Sequence, residues 1–371
     1  VRKRLQCSFL ILLFVVILSG CVETSVVDEV SMVRAAAFDT VEGGRIKVTA
    51  NFPTFPEDGA ENTLADGLLA ATGDTTKGAR IILNQKNQKP LVAGQLRLLL
   101  FSEELAEGGI ENLIDAMYRD PSVGNRIYLA IAEGSDAGRF LESDEKSGEL
   151  SGVFLPELIE HNMENNMVPE TNMHQFLFSL YNDGRDAFLP LVRKTEEENI
   201  DVWGTAVFSG DKLHTKLDHD DSFMLKMMLE RTKRSTKQFS LQNDEDETFV
   251  VIDNIHSSVS RTIHTQGEVP EFKVEIDIIG AIDDYSGDKN LDDETIIKEI
   301  ETSVEETIKA DSENLLNDFR EKGIDPVGVG EVYRSTNRNW DAERWKNEIY
   351  PTVSFTVDVE LKVVQSGAVE N

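Results

Sequence analysis

Residues 91–133 place the tightest constraint on what this chain can become. Leu96 to Phe101 is a near-continuous apolar run, the mark of a strand covered on both faces. Ser102 is placed to cap a following helix, and Glu103 and Glu104 suit that helix's positive end. Gly108 and Gly109 stop or bend it. Ile110, Leu113, Ile114 and Met117 then recur at i, i+3, i+4 and i+7, one buried face of a second helix. Asp120-Pro121 ends that helix, because the residue before proline resists helical backbone angles. Ile127 to Ala132 is a second apolar strand. Strand, helices and strand in this order predict a βαβ crossover, right-handed and with parallel strands.

The flanking segments extend the pattern. Val30 to Phe38 and Arg45 to Phe52 are β-rich runs around Thr40-Val-Glu-Gly-Gly, a predicted hairpin. Thr63 to Ala71, rich in Ala and Leu, reads as a helix, and Ala79 to Leu83 as a strand. Gly152 to Asn165 is an amphipathic helix, and Lys194 to Asn199 a charged linker. Beyond it, Asp201 to Phe208 alternates and turns at Ser209-Gly210-Asp211 into Lys212 to Leu217. Asp221 to Arg231 reads as a helix. Phe249 to Ile263 and Phe272 to Ile282 are strands broken at Gln266 to Pro270. Ile296, Ile297, Ile300, Val304, Ile308, Leu315, Leu316 and Phe319 stripe one long helix over 292–322, with Gly323 placed to cap it. Val327 to Tyr333 reads as a strand. Val353 to Val363 alternates strictly, a strand of antiparallel type with one wet face. The expected fold class is α+β, with three consecutive domains over 21–200, 201–268 and 269–371, each a small sheet flanked by helices.

Residues 1–20 read as a leader. Arg2, Lys3 and Arg4 form a positive start, and Phe9 to Leu18 is an apolar segment too short to span a bilayer stably. It ends in Leu18-Ser19-Gly20-Cys21, which resembles the bacterial lipobox. That resemblance implies cleavage before Cys21 and lipid on its sulfur, with a further acyl chain on the new amine; two or three chains anchor durably. The only other cysteine, Cys7, would leave with the leader, so no disulfide or thiolate metal site is expected within the fold.

The chain carries 68 acidic against 37 basic residues, a net charge of −31, and loss of Arg2, Lys3 and Arg4 would take it to −34. Such a surface repels nucleic acid. Candidate chemistry is sparse. Gly328-Val-Gly330 lacks the third glycine of a dinucleotide fingerprint, and no phosphate-binding loop or nucleophile elbow is present. A calcium loop begun at Asp284 puts Lys289 where glycine is needed and Thr295 where a bidentate glutamate is needed. His214, Asp218, His219, Asp220 and Asp221 form the best metal-like cluster, but on a strand end and loop rather than along one rigid helix. His161 and His174 read as surface or interface residues. No catalytic, cofactor or metal site is expected.

Several segments carry a family resemblance in order. They are Ser102-Glu-Glu-Leu-Ala-Glu-Gly-Gly-Ile, Tyr118-Arg-Asp-Pro, Phe154-Leu-Pro-Glu-Leu-Ile-Glu-His-Asn, Pro169-Glu-Thr-Asn-Met-His-Gln-Phe and Gly184-Arg-Asp-Ala-Phe-Leu-Pro-Leu. Later come the Ala206-x-Phe208 strand, Gly328-x-Gly330, Trp340 and Trp345, and Tyr350-Pro351. Together they resemble the Ger(x)C family, the C-subunit lipoproteins of spore germinant receptors. The resemblance implies a non-catalytic subunit lipidated at Cys21, held at the outer face of the cell membrane and, in the dormant spore, at the inner spore membrane. Its implied partners are the membrane-embedded A and B receptor subunits, and no cofactor is implied. A lipid-anchored solute-binding protein of an importer is the alternative, though such proteins have two lobes joined by paired hinge crossovers.

Overall fold

In a computed structural model, the structure describes residues 29–54, 65–124, 126–134, 136–142, 150–165, 167–233, 235–241, 248–267 and 269–366. The expected leader and Cys21 lie outside the described residues.

The predicted crossover is present. Strand β6 (Leu98–Ser102) leads through α2 (Glu103–Gly108) and α3 (Glu111–Tyr118) to β7 (Tyr128–Ala132), its parallel neighbour. Ser102 caps α2 as expected, its Oγ accepting from the Leu105 amide at 3.4 Å. Side chains along β6 alternate between two cores, as strand geometry requires. Leu99 and Phe101 join a core with Phe38, Leu83, Leu113 and Phe176, whereas Leu98 and Leu100 join one with Phe140, Leu155 and Ile159.

Around this unit an eight-stranded mixed sheet runs in the order β10-β9-β8-β7-β6-β2-β3-β4. The other members are β2 (Ala35–Val41), β3 (Arg45–Thr54), β4 (Ala65–Gly73), β8 (Phe188–Lys194), β9 (Ile200–Ser209) and β10 (Lys212–Leu217). Two short strands, β1 (Ser31–Met32) and β5 (Leu91–Val92), pair separately. Helices α1 (Thr76–Lys86), α4 (Ser151–Glu164) and α5 (Met173–Leu180) cover the faces. A second, four-stranded sheet is ordered β11 (Ser235–Leu241), β12 (Thr248–His264), β13 (Glu271–Tyr285) and β14 (Ser354–Ser366). Helices α6 (His219–Leu229) and α7 (Glu294–Lys322) pack their apolar residues on it. Gly323 ends α7 in the left-handed conformation at φ 66°, as its placement predicts. Helix α8 (Val329–Thr336) and short helical turns over 342–352 complete the chain.

The α+β class holds, and several local expectations are corrected. In place of the expected helix over 63–71, the described residues from Ala65 onward are strand β4: pairing with β3 overrides the helical preference of its Ala and Leu, and Gly67 lets Phe52 and Thr54 lie across it. Ala79 to Leu83 is not a strand but the middle of α1, nucleated where Thr75 Oγ1 accepts from the Gly78 amide at 3.0 Å. Val327 to Tyr333 is not a strand; Val329 onward is helix α8. Strand β14 pairs parallel, not antiparallel, with β13, because α7 intervenes as the crossover between them. The charged stretch at 194–199 is a turn between antiparallel β8 and β9, with Glu198 at φ 65°. The eight-stranded sheet thus runs on across 200/201, and the four-stranded sheet runs on across 268/269.

Candidate functional site

A dense polar arrangement lies at the seam where the two sheets meet. It joins two segments singled out by the family resemblance: the Gly184-Arg-Asp turn before β8 and the Gly328-Val-Gly turn opening α8. Asp325 is its hub. Its carboxylate accepts from the amides of Gly328 at 2.8 Å, Val329 at 2.9 Å and Gly330 at 2.8 Å. These are the orphan donors of a helix start, so a carboxylate there is favoured both by hydrogen bonding and by the helix dipole. This cap explains why a β-rich sequence after Asp325 turns helical.

The exchange across the seam is reciprocal. The Asp186 amide donates to the Asp325 carbonyl at 2.9 Å, and the Asp325 amide donates to Asp186 Oδ2 at 2.7 Å. The Glu331 amide donates to the Gly184 carbonyl at 2.8 Å. Backbone approach is close enough to need glycine on both sides: a Cβ on Gly184 would lie 2.8 Å from the Glu331 nitrogen, and one on Gly330 3.0 Å from the Gly184 Cα. Behind the turn, Tyr333, Trp340, Trp345 and Tyr350 form a chain of tilted rings, with Tyr333 and Trp345 centroids 4.7 Å apart. Tyr350 donates its hydroxyl hydrogen to the Ile324 carbonyl at 2.6 Å. Arg261 reaches the Val327 carbonyl at 2.7 Å, and the Arg185 guanidinium lies over Phe188. A second tie binds α4 to α6: buried Lys226 donates to the Met163 carbonyl at 2.7 Å and pairs with Glu230 at 3.1 Å.

Two recesses adjoin the seam. One, of about 260 Å³, is walled by Asp183, Asp186, Asp325, Trp345, Lys346 and Tyr350. The other is an open groove of about 750 Å³ between α5 and α8, where Tyr118, Phe178 and Tyr181 are exposed.

Burial sets the electrostatics. It pushes Asp325 up to about 7, against the three amides that draw it down, and the nearby Asp186 charge adds to the rise. Asp186 is raised too, chiefly by burial. Burial lowers both Arg185 and Arg261. Asp325 therefore holds its proton to near neutral pH when folded, and only to about 4 when unfolded. Its contribution to stability is complete below about 4 and is lost as pH rises toward about 7. The native chain's advantage in thermal midpoint over Asp325→Asn should accordingly shrink between pH 5 and pH 8. A constant difference across that range would contradict the assignment.

The metal-like cluster is dispersed into structural roles. Asp218 caps α6 by accepting from the Asp221 amide at 3.0 Å, and Asp220 pairs with Lys237. His214 lies on β10 and His219 opens α6. Among the described residues no group of His, Cys, Asp and Glu is arranged to hold a metal ion. The candidate calcium loop runs from the end of β13 at Tyr285 into α7, with Asp293 as the helix cap. His161 contacts Asn165, and His174 lines the groove beside Tyr181. Nothing in the linear pattern ties Asp325 to Asp186. The available signal was an Asp placed just ahead of a Gly-x-Gly turn, a capping pattern.

Comparison with known proteins matches this architecture along the chain. Residues 23–194 match the family described as spore germination protein N-terminal domain, and residues 203–367 match the one described as spore germination B3/GerAC like, C-terminal. The protein belongs to the GerAC-like family of spore germination proteins. Spore germination protein GerQC of Bacillus cereus is 31% identical over 361 residues, covering 97% of this chain and 99% of that protein. Spore germination protein B3 of Bacillus subtilis (strain 168) is 20% identical, covering 95% of each. The crystal structure of the GerBC protein shares the fold, with a TM-score of 0.57 at 16% identity over 89% of this chain and 96% of that one. No helix among the described residues is long and apolar enough to cross a membrane.

Proposed function

We propose that this chain is the C subunit of a spore nutrient germinant receptor, a non-catalytic interaction subunit lipid-anchored through Cys21. The observation that carries this reading is the pair of family matches in order, over 23–194 and 203–367. The seam supports it physically. Its hub carboxylates are engaged by backbone amides rather than poised beside a nucleophile, which suits a joint between two units better than a reaction centre. The partners would be the membrane-embedded A and B subunits, met at the outer face of the cell membrane and, in the dormant spore, at the inner spore membrane. Confinement of all three to one plane raises their effective concentration, so modest contacts suffice.

Deleting the gene should slow nutrient-triggered germination and leave vegetative growth intact. An unchanged germination rate across a broad nutrient panel, with any paralogue also deleted, would overturn the reading. Cys21→Ala should separately abolish lipid labelling and leader removal; normal processing of that variant would refute the anchor alone.

A further inference from the structure

Strand β14 is at the edge of its sheet, yet three of its outward backbone donors are occupied. The Val363 amide donates to Glu301 Oε1 at 2.8 Å, Leu361 to Glu305 Oε1 at 2.9 Å, and Val357 to Glu313 Oε1 at 3.0 Å. All three acceptors come from α7. The spacing follows from two periods. Four helical residues advance about 6 Å and two strand residues about 6.6 Å, so a helix row at i, i+4 and i+12 tracks alternate strand amides. The fourth tooth of that row is Lys309, which has no oxygen to offer and faces Asp358 instead. The acceptors are held in place: Glu301 is 9% exposed and is also gripped by Lys298 at 3.1 Å.

We propose that Glu301, Glu305 and Glu313 form a carboxylate comb that closes the β14 edge against pairing with the same edge of a second copy of this chain. A bare edge of this length is a template for strand addition, and an antiparallel pairing of two β14 edges is a closed two-fold contact that any exposed copy could make. The side-chain oxygens take the place of the neighbouring strand's carbonyls. They do so with a charge, which makes each bond stronger than a neutral one.

The test uses the purified full chain. In the triple variant Glu301→Ala, Glu305→Ala, Glu313→Ala, sedimentation should show dimers or larger species growing with concentration. The triple glutamine variant, which keeps an acceptor oxygen at each position, should stay in the native state of association. A folded alanine variant with native sedimentation at all concentrations would overturn the proposal, as would self-association of both variants alike. Should the triple alanine variant fail to fold, the single Glu305→Ala variant decides. Hydrogen exchange at the Leu361 amide should then quicken about tenfold or more, and an unchanged rate would sink the comb.

Discussion

Asp325→Ala should destabilise the protein by about 3 kcal/mol or more, read as a drop in the chemical-denaturation midpoint. Three amides, of Gly328, Val329 and Gly330, would lose the Asp325 carboxylate as acceptor in a buried site. Each stranded donor costs about 1–3 kcal/mol, and relief of a buried carboxylate offsets part of the sum. Asp325→Asn should cost less, because one carboxamide oxygen remains to accept while its NH2 faces donors it cannot satisfy. The start of α8 should fray first, so hydrogen exchange at Gly330 and Glu331 ought to rise before that of β6. Equal stability of the alanine variant and the native chain would show that the hub is not what holds the seam.

Gly184→Ala should cost about 2–3 kcal/mol, a penalty of overpacking rather than of a lost contact. The added methyl would lie 2.8 Å from the Glu331 nitrogen and 2.9 Å from the Gly330 carbonyl carbon. Both are backbone atoms and cannot rotate aside. The turn at Gly184 and the start of α8 must separate, which breaks the Glu331 to Gly184 hydrogen bond. Gly108→Ala is the control, since a Cβ there meets nothing within 4 Å. In the proposed receptor, Gly184→Ala should also slow nutrient response if the two units must be held in fixed relation, measured as germination rate at matched protein level.

What could be read from the sequence follows from how local each signal is. The crossover at β6–β7 announced itself because both its strands are apolar on two faces and its caps lie within a few residues. Helix α7 was equally plain, its stripe repeating over 29 residues. Strand β4 runs against its local preference because a neighbour decides it: Ala and Leu favour a helix, but β3 supplies a partner ladder. Helix α1 is set by its Thr75 cap rather than by the apolar run inside it. The seam was nearly invisible. Asp186 and Asp325 stand 139 residues apart, and nothing in either segment reveals the other. The turns at Gly184 and Gly328 stand out as family-like pieces, but they meet only in three dimensions. The edge comb was hidden for the same reason. Glutamates on the outer side of a helix read as a wet face until a strand is found alongside.

The parallel pairing of β13 with β14 across α7 also governs when this part of the molecule can become stable during synthesis. Until the ribosome has delivered both the helix and the strand after it, β13 presents an unmatched ladder and only α6 covers the apolar side of its sheet. The earlier unit, by contrast, has β6 and β7 in place from closely spaced segments. A growing chain would therefore pass through an interval with one half consolidated and the other sticky, and that interval is where a chaperone would be of most use.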